Sequence, residues 1–170
     1  MIVATPSVLL VCTANLCRSP MAETVLKALL IAMGPAAPLD PNRVESAGTR
    51  AAPRPQTVDA RAAAALQRTG LKADRKFRSR RVVPEDFERF DLVLAMDLEN
   101  LDDLRRLCPQ HLQSRVKLLL DFAPGLAGHE IPDPYFSPVV AFDRVLGLLG
   151  QGLQGLIDSQ IRAAEAQNAA

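Results

Sequence analysis

The sequence has no tryptophan, a single tyrosine (Tyr135) and only three cysteines among its 170 residues. So few aromatic groups leave little on which nucleobases could stack. Twenty Lys and Arg face nineteen Asp and Glu, a formal net charge of +1, so no excess of either sign points to nucleic acid or an acidic membrane surface. An odd number of cysteines does not suit a disulfide framework and fits reduced thiols with a catalytic or redox role. No apolar run is long enough for a membrane span, and the opening MIVATPSVLLVC lacks the basic stretch of a secretion signal. These absences predict a cytoplasmic protein without membrane insertion. At 48% apolar and 23% charged, the composition is that of one globular domain over residues 1–170, with an ordered core from about 7 to 162.

What is present is concentrated near the start. The apolar run Val8, Leu9, Leu10, Val11 leads into C-T-A-N-L-C-R-S-P, Cys12 to Pro20. A cysteine, five residues and an arginine fall where a buried strand should turn into a helix. The helix start offers unpaired N–H groups and the positive dipole end, which together hold anions. Arg18 adds a planar fork suited to two phosphate oxygens. A thiol in that field favours its thiolate form, and a thiolate facing a bound phosphate suggests covalent phosphoryl transfer from Cys12.

Along the rest of the chain, short apolar runs alternate with helical patterns. Strands are expected at Ser7–Val11, Arg43–Ala47, Phe90–Met96 and Arg115–Leu120. Helices are expected at Pro20–Met33, Thr57–Thr69, Leu98–Leu107 and Val139 to about Ala164, with loops at 34–42 and 121–137. Gly147, Gly150, Gly152 and Gly155 suggest a break in the last helix near Gly150, and the tail from Ala163 should fray. Four β-α repeats predict an α/β doubly wound domain: a four-stranded parallel sheet with helices on both faces. Ligands in such sheets bind beyond the C-terminal strand ends, where Cys12 follows the first strand and Asp133 the fourth.

The segment VCTANLCRSPMAE resembles the active-site segment of the low-molecular-weight protein tyrosine phosphatases. SAGT at Ser46–Thr49, Asp59 with Arg61, DFERFDLVLAMDLENL at Asp86–Leu101 and DPY at Asp133–Tyr135 agree in order. The resemblance implies a phosphotyrosine phosphatase with Cys12 as nucleophile, Arg18 as phosphate ligand and Asp133 as general acid and then base. It implies a phosphate cradle of Thr13, Ala14, Asn15, Leu16, Cys17, Arg18 and Ser19. Ser19 would bond the thiolate, Asn15 would hold a left-handed backbone turn, and Ser46 would help support the loop. Thr13, Ala52, Tyr135 and Phe136 would meet the substrate, and Cys17 would protect Cys12 by a reversible disulfide. No cofactor or metal is required. The implied partners are phosphotyrosine proteins, among them a bacterial tyrosine autokinase of exopolysaccharide export, and the chain should be a monomer or weak dimer.

The sequence also departs from that pattern. Ala14 stands where glycine is frequent, Lys76 or Phe77 where a supporting histidine is common, and Ala51, Ala52 and Pro53 where an aromatic wall is frequent. Other readings remain open at this level. Ser19 can be a helix cap, Asp133 a turn residue and Cys17 an incidental thiol. Cys108 with His111 has zinc-like spacing, as does Cys12 with Cys17, but Arg18 beside Cys17 would repel a cation and the two pairs lie on different segments. Arg50, Arg54 and Arg61 read as surface or structural charges. The basic run from Arg75 to Arg81 reads as a solvated face or a rim for acidic substrates. Arsenate reduction, phosphoarginine hydrolysis, and a silent phosphopeptide-binding or redox-sensing module are the alternatives to phosphotyrosine hydrolysis.

Overall fold

A computed structural model describes residues 5–170. Strand β1 (Val8–Cys12) is buried along its whole length, as its unbroken apolar sequence requires. It sits between β2 (Val44–Gly48) and β3 (Leu92–Ala95), and β4 (Val116–Leu118) lies outside β3, giving the order β2-β1-β3-β4. All pairs are parallel: Val8 lies opposite both Val44 and Leu92, and Val93 opposite Val116. The chain moves outward in one direction through β2 and in the other through β3 and β4. The edge where it reverses lies at the end of β1, where Cys12 stands, and this is the ordinary ligand site of an open parallel sheet.

Alternation along β1 divides the core. Val8, Leu10 and Cys12 join the layer made with α1 (Arg18–Met33), α2 (Ala60–Arg68) and α5 (Val139–Asn168). Leu9 and Val11 face the layer made with α3 (Asp86–Arg89) and α4 (Leu98–Leu107). The predicted fold class is the one observed.

Several boundaries differ from the sequence reading, each for a local reason. Helix α1 begins at Arg18, two residues before the expected Pro20, so Arg18 and Ser19 belong to its first turn. Helix α2 begins at Ala60 because Asp59 caps it, accepting the Arg61 N–H at 2.8 Å. Two 3₁₀ turns, Gly34–Ala36 and Pro41–Arg43, occupy the expected loop, and the second takes in Arg43, so the strand expected from Arg43 starts at Val44. The fourth strand stops at Leu118, where the Asp121 carboxylate accepts the Leu118 N–H and fixes a 3₁₀ turn.

The largest correction concerns α5, which is one continuous helix from Val139 to Asn168, with no break at Gly150 and no end near Ala164. Two of its four glycines, Gly152 and Gly155, serve close contact. A β-carbon on Gly155 would lie 2.0 Å from the Phe122 carbonyl oxygen, and one on Gly152 would lie 2.7 Å from Leu119. At Gly155 the helix presses against the Phe122 backbone and at Gly152 against the Leu119 side chain, and this close packing offsets the propensity cost of those two glycines. Gly155→Ala is therefore expected to destabilise the fold by about 1–3 kcal/mol, despite alanine's better helix propensity. Gly147→Ala, where a β-carbon would meet nothing within 4 Å, is the control. Urea unfolding of the pair checks the contrast.

Candidate active site

The turn from Thr13 to Cys17 joins β1 to α1. Asn15 adopts a left-handed backbone conformation, with φ of 57°. Its side chain holds that shape from within: Nδ2 donates to Ser19 Oγ at 2.9 Å and to Ser46 Oγ at 3.0 Å, while Oδ1 accepts the Arg80 N–H at 3.0 Å. Several carbonyls of the turn face outward and are taken by other segments. Thr49 N–H donates to Cys12, Arg50 N–H to Thr13 and Asp59 N–H to Leu16, each at 2.9 Å. The N–H groups from Ala14 to Cys17 donate to no protein group among the described residues. A ring of free amides at a helix start is the arrangement that binds a tetrahedral oxyanion.

Gly48 lets this turn close. A β-carbon there would stand 2.6 Å from the Thr13 carbonyl oxygen and 2.9 Å from the Asn15 nitrogen. The end of β2 thus forms the back wall of the loop.

Cys12 Sγ lies at the floor, 3.0 Å from Ser19 Oγ. Ser19 Oγ is also 3.2 Å from the Ala47 carbonyl, so its single proton has two competing acceptors. Arg18, 1% exposed, spans the site. Its Nη1 donates to Asp97 Oδ2 at 2.5 Å and to the Ile131 carbonyl at 2.9 Å. Its Nη2 donates to Thr13 Oγ1 at 3.3 Å and lies 3.4 Å from Asp133 Oδ2. Burial opposes the charge on Arg18, but Cys12, Asp97 and Asp133 outweigh it, and the guanidinium is held charged more firmly than an ordinary arginine.

Asp97 makes this possible by serving two partners. One oxygen caps α4, accepting the Asn100 N–H at 2.7 Å, and the other holds Arg18. Asn100, fully buried, donates its side-chain amide to Thr13 Oγ1 at 2.9 Å.

Asp133 reaches the site although β4 ended well before it, at Leu118. The Ile131 N–H donates to the Met96 carbonyl at 2.8 Å, which draws the loop back to the end of β3. The Asp133 carboxylate is half-exposed and accepts the Tyr135 N–H at 3.1 Å. Arg61 fixes the next turn. It donates to the Tyr135 carbonyl at 2.8 Å, and its guanidinium lies 5.1 Å from that ring's centre. Asp59 grips Arg61 through both oxygens, and this pairing, against some cost of burial, holds the Asp59 carboxyl below the usual range. A cavity of about 280 Å³ results, with Cys12, Arg18 and Asp133 inside and Leu16, Tyr135 and Phe136 as its apolar walls.

A low molecular weight phosphotyrosine protein phosphatase family model matches residues 7–167. The chain belongs to that family. It is 35% identical over 150 residues to the low molecular weight protein-tyrosine-phosphatase of Streptomyces coelicolor, covering 86% of this chain and 88% of the relative. It is 40% identical over 133 residues to low molecular weight phosphotyrosine protein phosphatase 2 of Drosophila melanogaster, covering 77% of each. Among solved structures, a protein tyrosine phosphatase from Entamoeba histolytica matches with a TM-score of 0.82 and 31% identity, over 95% of this chain and 99% of that one. A low molecular weight phosphotyrosine phosphatase from Vibrio cholerae matches with a TM-score of 0.80 and 36% identity, over 91% of this chain and 95% of that one. The chain is a protein-tyrosine phosphatase, a hydrolase.

Within this phosphatase, the residues singled out from sequence mostly converge. Thr13, Ala14, Leu16, Cys17, Tyr135 and Phe136 all line the cavity, and Asn15, Ser19 and Ser46 form the support behind it. Ala52 does not line it; the residue is exposed, so Tyr135 and Leu16 carry the walls. Neither Lys76 nor Phe77 touches the loop by hydrogen bond. Ser46 does, and its own hydroxyl donates to Glu23 at 2.7 Å. Cys17 also lines the cavity, but burial, together with Asp59 and Cys12, pushes its thiol up to about 12. Arg61 is gripped by Asp59 and shapes the site through Tyr135. The basic run is not simply a solvated face, because Arg80 pairs with the buried Asp86 and supports Asn15 through its backbone. Cys108 lies in the opposite core layer from Cys12 and Cys17.

Four positions escaped the sequence reading: Asp97, Asn100, Glu23 and Gly48. Asp97 carried a signal, an acidic cap at a strand-to-helix junction in A-M-D-L-E-N. No helix of the described residues is long and apolar enough to cross a membrane.

Proposed function

We propose that this enzyme hydrolyses protein phosphotyrosine through a phosphocysteine intermediate. The observation that carries the reading is the convergence of Cys12, Arg18 and Asp133 in one cavity. The phosphoryl group sits on the loop amides and the Arg18 guanidinium. Cys12 Sγ attacks phosphorus in line with the phenolic oxygen, an S–P bond forms, and the O–P bond breaks. Asp133 gives its proton to the departing phenolate. In the second step Asp133 takes a proton from water, which attacks phosphorus and releases the sulfur. Ser19 then turns its proton from the Ala47 carbonyl to the sulfur, 3.0 Å away, and makes it a better leaving group. Leu16 and Tyr135 flank the aromatic ring beside the anion site. A bacterial tyrosine autokinase is the partner this chemistry would oppose.

The test varies the leaving group. Asp133→Asn is expected to lower kcat/KM, which covers only the steps up to phosphocysteine formation, about 10²–10³-fold for phosphotyrosine but less than about tenfold for 4-nitrophenyl phosphate, because nitrophenolate needs little protonation. Equal losses of kcat/KM on both substrates would remove Asp133 from the acid role. Steady-state kinetics on a phosphotyrosine peptide, with phosphoserine and phosphoarginine peptides beside it, supply the comparison.

A further inference from the structure

A second cavity, of about 260 Å³, lies away from the reaction, between the outer face of α1 and the segment that follows α2. Ala28, Ile31, Val58, Leu71 and Phe77 give it an apolar body. Ile31 is 67% exposed, an uncommon state for a large apolar side chain on a helix. Its charged rim holds Glu23, Lys27, Lys72 and Asp74. Lys27 donates to Glu23 Oε1 at 2.8 Å, and one Asp74 oxygen accepts the Lys76 N–H. Lys72 has no hydrogen-bond or ion-pair partner among the described residues. An apolar pocket with an uncommitted ammonium at its mouth, and a second one close by, complements an amphipathic anion.

The same wall is joined to the nucleophile. Glu23 Oε2 accepts from Ser46 at 2.7 Å, and Ser46 Oγ accepts from Asn15 at 3.0 Å. Asn15 donates to Ser19 at 2.9 Å, and Ser19 lies 3.0 Å from the Cys12 sulfur. An unbroken chain of hydrogen bonds therefore connects the cavity to the reacting atom, and it passes through the residue that holds the left-handed turn.

We propose that this cavity is an effector site for a small aryl or alkyl carboxylate, whose occupancy is transmitted to the phosphate loop through Glu23. The carboxylate pairs with Lys72 and draws Lys27 from Glu23. The Glu23 carboxylate then loses the cation that fixes it, and the anchor for Ser46 and Asn15 loosens. Bound effector lowers kcat and leaves KM unchanged, because the phosphate contacts of Arg18 are untouched. The turnover arm rests on the phosphatase reading; the binding arm does not.

The probe is 1-naphthaleneacetate, followed by ligand-observed saturation-transfer NMR with excess orthovanadate holding the phosphate loop. Binding is expected to survive vanadate. Ala28→Leu fills the cavity with a good helix former and should weaken binding about tenfold or more. Lys72→Gln should weaken it about threefold. In wild type the probe should lower kcat for 4-nitrophenyl phosphate about fivefold at constant KM. Ala28→Leu, with wild-type basal turnover, should not respond. Displacement by vanadate, undiminished binding to Ala28→Leu, or equal binding of 1-naphthylmethylamine would overturn the site. Saturation without a change in kcat would overturn the coupling. If wild type hydrolysed no aryl phosphate, the catalytic reading would fail, and the NMR arm would still decide the cavity.

Discussion

Cys12→Ser is expected to lower turnover of any aryl phosphate by more than about 10⁴-fold, the scale seen when a covalent nucleophile is removed. The substitution is nearly isosteric at a site only 3% exposed, so the fold should persist. The position still lies within reach of Ser19, so the loop should keep its shape. What is lost is reactivity. A serine hydroxyl is a weak nucleophile without an adjacent general base, and no histidine lines this cavity. Arg18 and the loop amides remain, so phosphate should bind Cys12→Ser about as tightly as wild type. Titration with inorganic phosphate, set beside kcat for 4-nitrophenyl phosphate, separates the two effects. A variant that binds phosphate but retains more than a hundredth of wild-type turnover would exclude the covalent route. A variant that binds none would show instead that the sulfur builds the cradle.

The sheet, the placement of Cys12 at its edge and the arginine six residues on were legible because they are local. A buried run, a turn and a helix start follow one another within about a dozen residues, and each has its own physical signature. Asp133 was legible through the D-P-Y motif, although the hydrogen bond from Ile131 to Met96 that delivers it was not. The support behind the loop was harder to read. Asp97 meets Arg18 across 79 residues, Asn100 meets Thr13 across 87, and nothing in their own neighbourhoods announces the partner. Gly48 resembled the end of a strand, and only the approach of the Thr13 carbonyl explains it. The glycines of α5 misled for the same reason. Propensity counts their cost within the helix, whereas Gly152 and Gly155 are used in contacts with Leu119 and Phe122, far back along the chain.

Arg18→Lys should be the second most damaging change, and it should damage two properties at once. The guanidinium makes four polar contacts: Nη1 holds Asp97 and the Ile131 carbonyl, and Nη2 faces Thr13 and Asp133. An ammonium on a flexible stem cannot hold Asp97 and meet two phosphate oxygens together. If the substituted ammonium stays on Asp97, the transition state loses its planar fork, and turnover should fall about 10²–10³-fold, as when one preorganised donor is removed from an oxyanion site. If it turns to the phosphate, Asp97 is left mostly buried and unpaired, and stability should fall by about 1–3 kcal/mol. Asp97→Asn distinguishes these routes. The amide oxygen can still cap α4, so the helix survives, while the charge that fixes Arg18 is gone. That variant should lose about tenfold in kcat with a smaller loss of stability than Arg18→Lys. Urea unfolding and the kcat against KM split, measured on both variants, test the assignment. If Asp97→Asn matched Arg18→Lys in kcat, the carboxylate itself would be part of the chemistry rather than the brace that aims the guanidinium.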